Sequence, residues 1–393
     1  MVTRRTVLST FAAIAGTNAA DALSGSAPSL EYFDGTLSAD DRRSLVALID
    51  YEEAARKRIP FKALSYISGG AGDELTLRWN REAYDNIVLR PRVLSDVSKL
   101  DTRVSLFGTE LPHPILLAPA ACHQLVHPEG ELATARGANA AKALMSLSSF
   151  SNTTVEDVMK QRNGPTWFQL YDEPDREFTR EQVQRAEAAG CKALAVTVDT
   201  PVTGARNRQD RSGFTFEGLP LPHLRQSKNG RAAKDVFSDL LNFNLTWKDI
   251  AWLRSITRMR VLIKGVLDEE DAAIAARENL DGIIVSNHGA RNLDTAPATI
   301  HALPRVVRAV RGTGSKMPII VDGGIRRGTD VLKALALGAN AVQIGRPYLY
   351  GLSVDGAAGV TEVVDILRRE FEMAMALTGR DSIAAIDATV LRA

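Results

Sequence analysis

Hydrophobic residues recur along the chain in short, nearly continuous runs from about residue 100 onward. Each run ends in small or polar residues, and stretches with apolar residues at helical spacing lie between the runs. Continuous apolar runs are typical of parallel strands that are buried on both faces, whereas strands with one wet face alternate. The sequence therefore predicts eight buried strands, at residues 114–120, 144–149, 166–171, 193–199, 261–265, 282–287, 318–324 and 341–346.

Helices are predicted between these strands. Residues 128–143, 179–190, 268–280 and 327–338 show helical periodicity, and Gly190 and Gly338 stand where C-caps are expected. Eight alternations of strand and helix favour an α/β fold, the (β/α)8 TIM barrel. A doubly wound open sheet is the alternative, and it is disfavoured because no GxGxxG follows the first strand.

Two segments do not fit the repeat. Residues 29–100 precede it and are predicted to form a helical segment that caps the barrel. A connection from Asn207 to about Asn244 follows the fourth strand, and it is far longer than the usual ~2–6 residues. We expect this long loop at the functional face. The predicted organisation is a leader at 1–28, the helical segment, a barrel at 101–380 and a tail at 381–393.

The first residues have the composition of an export signal. Arg4 and Arg5 precede an apolar stretch at 7–16, and Ala20-Asp21-Ala22 resembles a cleavage site. About ten apolar residues are too few for a bilayer crossing, which needs ~20. The paired arginines predict a twin-arginine route, and hence a periplasmic or exported protein. The alternative is a disordered start with chance arginines on a cytoplasmic protein.

Composition narrows the classes of partner. The 393 residues carry a formal net charge of +1, so no basic field indicates nucleic acid. Cys122 and Cys191 lack the CxxC spacing of a zinc site, and they are expected to be buried thiols. No metal site is predicted.

Polar residues gather where the predicted strands end. The chemistry of such barrels lies at the C-terminal strand ends. Lys264 stands inside a strand that should be buried, and lysine is almost never buried without a partner. Several such residues on one rim indicate a site: Gln169, Tyr171, Thr197, Asp199, Arg206, Lys264, Ser286, Asn287, His288, Arg291, Asp322 and Arg326.

The seventh and eighth strands end in DGGIRRG and IGRP. These segments supply glycines, arginines and backbone N–H groups near helix starts, at the place where this fold usually binds phosphate. A phosphorylated ligand is therefore expected. The pattern alone does not separate a phosphorylated substrate from a flavin nucleotide.

The segment VSNHGARNLD, residues 285–294, resembles the signature of the FMN-dependent α-hydroxy acid oxidases and dehydrogenases, which include glycolate oxidase and lactate oxidase. YISGGAGDELTL, LAPAACHQLVHPEGE, LSSFSNTTVEDV, FQLY, TVDTP, LIKGV, VDGGIRRGTDVLKALALGA and IGRP are similar to family segments in the same order. Together they cover roughly residues 45 to 380.

The resemblance implies the catalytic roles. His288 would be the base, Asp199 would orient it, and Lys264 would stand beside the flavin ring. Arg206, Arg291 and Tyr66 would bind the substrate carboxylate, and Tyr171 would contact the substrate hydroxyl. An arginine close to His288 suits this role, because its charge disfavours premature protonation of the imidazole.

The resemblance also implies how FMN is held. The ring would lie against Ser148, Gln169, Thr197 and Ser286, with the backbone of Ala120 and Ala121 near its N5 side. Asp322 would lie near the ribityl chain. The phosphate would be bound by Gly324, Arg326, Gly345 and Arg346.

Some positions depart from the family pattern. Ala120 stands where many members carry Thr, and Phe150 where glycolate oxidases often carry Trp. Asn292 replaces a common Gln, and Cys122-His123 replaces Met-Gln. His123 is expected to be structural rather than a second titrating group near the flavin.

The sequence therefore predicts an FMN enzyme that oxidises a lactate-like (S)-2-hydroxy acid to the 2-oxo acid. Oxygen, a quinone or a cytochrome would reoxidise the flavin, and a homotetramer or homo-octamer is expected. The alternatives are a flavin isomerase or phosphosugar barrel, and a barrel that only binds flavin.

Overall fold

The computed structural model describes residues 38–225 and 241–392. Eight parallel strands close into a barrel in the order β10-β3-β4-β5-β6-β7-β8-β9. This arrangement confirms the predicted (β/α)8 barrel. The barrel strands are β3 Ile115–Leu117, β4 Met145–Ser148, β5 Thr166–Leu170, β6 Ala193–Thr197, β7 Arg260–Val266, β8 Gly282–Val285, β9 Ile319–Asp322 and β10 Ala341–Ile344.

A short antiparallel hairpin precedes the barrel. Its strands are β1 Val104–Leu106 and β2 Thr109–Leu111. Leu106 and Leu111 pack into the barrel interior with Trp167, which lies near the start of β5. The ring of Phe107 lies 5.6 Å from that of Trp167. The hairpin therefore closes the end of the barrel where the strands begin and leaves the opposite end open for a site.

Helices surround the barrel and precede it. The N-terminal extension contains α1 Ala39–Ser44, α2 Leu48–Arg58, α3 Phe61–Ser68 and α4 Leu75–Asp85. The others are α5 Gly130–Ala140, α6 Val155–Gln161, α7 Arg176–Ala188, α8 Asn207–Ser212, α9 Trp247–Ser255, α10 Glu269–Arg277, α11 Thr299–Gly312, α12 Gly328–Ala336 and α13 Arg346–Leu377. Non-helical backbone at Asp355 and Gly356 divides α13 into two helices. Single 3-10 turns occur at His123–Leu125, Ile383–Ala385 and Ala388–Val390.

The long connection after the fourth barrel strand runs from the end of β6 to α9. The predicted loop was expected to begin at Asn207, but that residue starts the short helix α8. Gly213, in the left-handed conformation at φ 65°, ends this helix. The apolar side chains that follow, Phe214 and Phe216, turn back against the core.

The apolar residues form two layers. One cluster fills the barrel interior, and a larger one lies between the strands and the surrounding helices. Both faces of the strands are therefore covered, which explains why their sequences are continuously apolar rather than alternating. In residues 38–225 and 241–392, no helix combines the length and apolarity that a membrane crossing requires.

Candidate active site

A cavity opens at the C-terminal end of the barrel and contains about 1390 Å³ of space, part of it open to solvent. The predicted site residues converge on it. All but three line the cavity wall: Asp199 and Ser286 lie behind His288 and Lys264, and Asn287 bonds to Asn80. The lining members are Tyr66, Ala120, Ala121, Ser148, Gln169, Tyr171, Thr197, Arg206, Lys264, His288, Arg291, Asp322, Gly324, Arg326, Gly345 and Arg346.

His288 stands on a tight turn after β8. Its φ of 59° is left-handed, and its backbone N–H donates to Ser286 Oγ at 3.1 Å. The turn is held from outside the barrel. Asn287 exchanges two hydrogen bonds, of 2.8 and 2.9 Å, with Asn80 of α4. The predicted set missed Asn80, because nothing local in the sequence pairs residues so distant.

His288 is hydrogen-bonded at both ring nitrogens. Nδ1 lies 2.9 Å from Asp199 Oδ1, and Nε2 lies 3.0 Å from the Tyr171 hydroxyl. An ionised carboxylate only accepts, so Nδ1 carries the proton and Nε2 is the acceptor of the neutral ring. Burial lowers the pKa of His288, the Asp199 carboxylate opposes that shift, and Lys264 and Arg206 reinforce it. The ring is therefore a neutral base.

A bulge in β7 makes room for Asp199. Pairing between β7 and β8 shifts at Gly265, whose φ is 115°. A Cβ on Gly265 would lie 2.4 Å from that of Asp199. Burial raises the pKa of Asp199, but the neighbouring His288 and Lys264 outweigh burial and hold it below its usual value. Asp199 is therefore ionised beside the histidine.

Arg291 and Arg206 lie next to each other on the same wall. Arg206 Nε donates to the backbone carbonyl of Arg291 at 3.3 Å. Arg291 lies over the Tyr66 ring, with Cζ 4.6 Å from its centroid. Its buried Nη2 has no hydrogen-bond partner among the described residues. A guanidinium at a cavity wall with an unused N–H is suited to a carboxylate.

Three side chains form a chain across the floor of the cavity. Ser148 Oγ donates to Gln169 Oε1 at 2.7 Å, and Gln169 Nε2 donates to Thr197 Oγ1 at 2.9 Å. They stand at the ends of consecutive strands, β4, β5 and β6. Together they offer a row of hydrogen-bond donors and acceptors to the polar edge of a flat ligand.

A second chain joins β7, β8 and β9. Lys264 Nζ donates to Ser286 Oγ at 2.9 Å, and Ser286 Oγ donates to Asp322 Oδ2 at 2.9 Å. Lys264 Nζ also lies 3.4 Å from Asp322 Oδ2, and both side chains are buried. Asp322 Oδ1 has no partner among the described residues. These contacts pair the ammonium group and fix it at the cavity wall.

The far end of the cavity is glycine-lined and basic. A Cβ on Gly345, at the start of α13, would touch only the Ala118 Cβ at 3.9 Å, so this backbone faces open space. Gly324, with φ 81°, packs against Asn80, where a Cβ would lie 1.9 Å from the Asn80 carbonyl oxygen. Arg326 and Arg346 complete this end. An open backbone at a helix start beside two guanidinium groups is suited to a phosphate.

Apolar side chains that the predicted set lacked also line the cavity. Phe216 from the long loop lies between Phe150, at 5.8 Å, and Tyr66, at 5.2 Å between ring centroids. Phe150 meets Tyr171 edge-on at 5.2 Å. Leu241 also lines the cavity. Aromatic residues in a loop with no periodicity gave no signal of where they would pack.

His123 is structural, as expected. Its ring is buried, with Nδ1 3.0 Å from Thr134 Oγ1 and Nε2 3.2 Å from the Tyr348 hydroxyl. Burial lowers its pKa. Cys122 and Cys191 are buried free thiols, in agreement with the sequence analysis.

The model of the FMN-dependent dehydrogenase family matches residues 55–393. The chain belongs to this family. It is 48% identical over 343 residues to the peroxisomal (S)-2-hydroxy-acid oxidase GLO4 of Oryza sativa subsp. japonica, an alignment that covers 86% of this chain and 93% of the relative. It is 45% identical over 354 residues to glycolate oxidase 3 of Arabidopsis thaliana, covering 88% and 95%.

Solved structures give the same relationship. The chain resembles mandelate oxidase in complex with (S)-2-phenylpropionate, with a TM-score of 0.80 and 38% identity over 88% of this chain and 98% of that one. A second mandelate oxidase structure, with benzoyl-formic acid, matches at a TM-score of 0.79 and 38% identity, with the same coverage.

The cofactor of the family is FMN, and the cavity fits it. The fit rests on three features: the open backbone at Gly345 beside two arginines, the row of polar strand ends, and the buried Lys264 at the wall. A flavin nucleotide needs a phosphate cradle, a polar edge for its ring and a positive group near the ring. The predicted FMN cofactor is therefore supported by the residues present.

The predicted localisation is wrong. Export, with a cytoplasmic protein as its alternative, is contradicted by the close plant relatives, one of which is named a peroxisomal enzyme. The leader at 1–28 lies outside the described residues and before the family match, which begins at residue 55. Paired arginines before a short apolar run are a pattern of composition that needs no fold, so it occurs by chance more readily than the barrel motifs.

Proposed function

We propose that this chain is an FMN-dependent enzyme that oxidises an (S)-2-hydroxy acid to the 2-oxo acid. One observation carries the proposal. A neutral, carboxylate-backed histidine and a guanidinium whose buried Nη2 has no partner among the described residues belong to the wall of the same cavity, beside a fixed ammonium group. The names of the relatives, an (S)-2-hydroxy-acid oxidase and glycolate oxidases, support this reaction class.

The substrate is held at two points. Arg291 binds the carboxylate with its guanidinium, and Arg206 and Tyr66 line the same wall. The hydroxyl then falls near His288 Nε2 and the Tyr171 hydroxyl, which lie 3.0 Å apart. When the carboxylate and the hydroxyl of a small 2-hydroxy acid are both held, the side chain on C2 contacts another part of the cavity. Such positioning accounts for a large part of catalysis in enzymes of this kind.

His288 is the proton acceptor. Oxidation of a hydroxyl carbon to a carbonyl removes two electrons and two protons; bound FMN would accept the two electrons and one of the protons. His288 Nε2 takes the other proton. Asp199, 2.9 Å from Nδ1, stabilises the imidazolium that results. Burial, with the charges of Lys264 and Arg206, keeps the ring neutral, and the substrate carboxylate then offsets the charge of Arg206.

The remaining predicted residues hold the cofactor. Ser148, Gln169, Thr197 and Ser286 bind the ring edge, and the backbone of Ala120 and Ala121 lies beside it. Lys264 places positive charge next to the ring. Asp322 lies toward the ribityl chain, and the phosphate is bound by Gly324, Arg326, Gly345 and Arg346.

The substrate carries a small apolar side chain and is lactate-like. The wall formed by Phe150, Phe216 and Leu241 supports this choice, because it provides no polar side chain for a second charged group. Glycolate has nothing to place against this wall.

The remaining proposals concern acceptor, assembly and organisation. Oxygen is the acceptor, because the relatives are named oxidases. The chain is a homotetramer or homo-octamer. It divides into a helical segment at 29–100, the barrel at 101–380 and a tail at 381–393. Size-exclusion chromatography with light scattering tests the assembly, and limited proteolysis tests the boundaries.

A flavin isomerase, a phosphosugar barrel or a barrel that only binds flavin is not favoured. None of these needs a histidine base with two arginines on the same wall.

The experiment is anaerobic mixing of the FMN-loaded protein with a panel of 2-hydroxy acids. Bleaching of the oxidised flavin band by (S)-lactate, with little effect of (R)-lactate, is the expected result. Rapid return of colour on admission of air identifies oxygen as the acceptor. An FMN-loaded protein that no 2-hydroxy acid bleaches would overturn the proposal.

A further inference from the structure

One backbone carbonyl is shared by the two arginines that serve the two ends of the cavity. The carbonyl oxygen of Gly69 accepts from Arg291 Nη1 at 3.0 Å and from Arg346 Nη2 at 2.8 Å. Arg291 belongs to the substrate wall, whereas Arg346 belongs to the phosphate end. The two subsites are therefore joined through a single acceptor rather than built independently.

The acceptor lies at the C-terminus of α3. Arg346 Nε also donates to the carbonyl of Ile67 at 2.8 Å, and Arg291 Nη1 to that of Tyr66. These carbonyls have no partner within a helix that ends at Ser68, and they carry its negative partial charge. In the part of the chain that the structure describes, no carboxylate accepts a hydrogen bond from either arginine, and Glu52 and Glu74 act on Arg346 only through their charge. Helix carbonyls thus replace a counter-ion for both.

The partial charges of the α3 carbonyls offset the positive charges of the two guanidinium groups only in part. Burial, and after it the charges of Arg206 and Arg346, together lower the pKa of Arg291 to about 9. Burial also lowers the pKa of Arg346. An anion bound at either arginine would relieve the repulsion felt by the other and strengthen its charged state.

Gly69 is required for this geometry. A Cβ at this position would lie 2.6 Å from the carbonyl oxygen of Ser65, one turn back in α3. Any side chain would push the backbone away from the helix and move its carbonyl. The absence of a side chain keeps the oxygen within reach of both guanidinium groups.

We propose that Gly69 is a positioning residue whose carbonyl couples the phosphate of the cofactor to the carboxylate of the substrate, so that the two anions bind cooperatively. This inference rests on the proposed function. A phosphate on Arg346 fixes that side chain and its bond to Gly69, which fixes the acceptor that orients Arg291. Linkage requires that the carboxylate tightens the binding of the phosphate by the same factor.

The test measures flavin release and needs no turnover. The probe is 2-hydroxy-2-methylpropanoate, which has no hydrogen at C2 and so is not oxidised. Holoenzyme is diluted with and without saturating probe, and the fluorescence of released flavin gives the dissociation constant. The measurement is repeated with riboflavin, which has the same ring but no phosphate. We expect the probe to tighten FMN about 5- to 150-fold, and riboflavin at least several-fold less.

The matched variant is Arg346→Lys, which keeps the charge but cannot make the forked contact with Ile67 and Gly69. The variant should bind FMN more weakly than the wild type does. The fold by which the probe tightens FMN binding in the variant should not exceed the fold by which it tightens riboflavin binding in the wild type. If riboflavin is bound too weakly to measure, the comparison of Arg346→Lys with wild type on FMN decides.

Two results would overturn the coupling. One is equal tightening of FMN and riboflavin, and the other is full tightening in Arg346→Lys. Failure of the proposed function is distinguishable, because then no 2-hydroxy acid bleaches the flavin and the probe perturbs neither flavin.

Discussion

Asp199 accepts a hydrogen bond from Nδ1 of His288 at 2.9 Å, and this contact fixes which nitrogen of the imidazole faces the cavity. With the proton on Nδ1, the lone pair on Nε2 is available at 3.0 Å from the Tyr171 hydroxyl. Thr200 Oγ1 donates to the same Asp199 oxygen at 3.0 Å, and Asn292 donates to the Asp199 backbone carbonyl at 2.7 Å. His288, the proposed base, is therefore oriented by a carboxylate that is itself held in place.

The pH dependence of kcat/KM follows from this contact. Burial lowers the pKa of His288 below its ordinary value of 6.5, so the neutral base persists at pH 6.5 and above. We expect kcat/KM to fall only as the pH drops through a value below 6.5. A pH profile from 4.5 to 8.5 measures this; an acid limb centred above pH 7 would contradict it.

Asp199→Asn removes the charge that raises the pKa of His288, so the acid limb should move to still lower pH. The imidazolium also loses its stabilising partner. We expect kcat at pH 8 to fall by about 10²- to 10⁴-fold, while FMN remains bound. A variant with unchanged kcat and an unchanged limb would show that Asp199 does not act through His288.

Lys264→Met should have two separable effects. It leaves Asp322 buried without its cation, 3.4 Å away in the wild type, and should lower the free energy of unfolding by about 3–5 kcal/mol. It should also lower the midpoint potential of bound FMN, because a cation beside the ring favours the reduced, more negative form.

The double variant Lys264→Met/Asp322→Asn separates the two. Removal of both charges should restore part of the stability without restoring the potential. Denaturant unfolding and reductive titration provide the two readouts. Recovery of the potential in the double variant would argue against a direct effect of Lys264 on the flavin.

Phe216→Ala tests the apolar wall. Phe216 packs on Phe150 and Tyr66, so its truncation opens the place proposed for the substrate side chain. We expect kcat/KM for (S)-lactate and longer apolar 2-hydroxy acids to fall about 10-fold or more, with a smaller change for glycolate. Phe61→Ala is the control, because Phe61 is exposed on α3. Equal losses for all substrates would remove Phe216 from substrate selection.

Glu173 gives a prediction about stability. Burial raises its pKa to about 7, from an ordinary value of 4.5. The folded state therefore binds a proton that the unfolded state has lost, and stability should fall as the pH rises from 4.5 through 7. In Glu173→Gln this loss should be smaller. The difference between the Tm at pH 5 and the Tm at pH 8 should be a few degrees less in the variant than in the wild type.

Glu181→Gln, at an exposed position of α7, is the matched control and should leave the pH dependence of Tm unchanged. Differential scanning calorimetry from pH 5 to 8 measures both variants. An unchanged pH dependence in Glu173→Gln would show that Glu173 is ionised throughout this range.

Strand positions could be predicted because burial on both faces leaves a continuous apolar record. The rim could be predicted for the related reason that parallel strands end on one face, so Lys264, His288 and Asp322 had to converge. Strand ends were less certain. β6, for example, ends at Thr197 rather than Asp199, because the backbone leaves the ladder where the rim begins.

Contacts made by the loops and the N-terminal extension could not be predicted. Asn80 supports His288 from α4, and Gly69 meets two arginines from distant strands. Phe216 packs on the cavity from a loop without periodicity. These contacts join residues that are distant in the sequence, and local sequence patterns do not show which distant segments come together in the fold. The Gly265 bulge likewise depends on the close approach of Asp199.

The most direct test of the account is a single anaerobic turnover of FMN-loaded wild type and His288→Gln with (S)-lactate. The account predicts about one 2-oxo acid per flavin bleached in the wild type, and a rate at least about 10²-fold lower in the variant. Binding of FMN and of 2-hydroxy-2-methylpropanoate by the variant checks that its site is intact. Product formation by His288→Gln at the wild-type rate would contradict the assignment of His288 as the base.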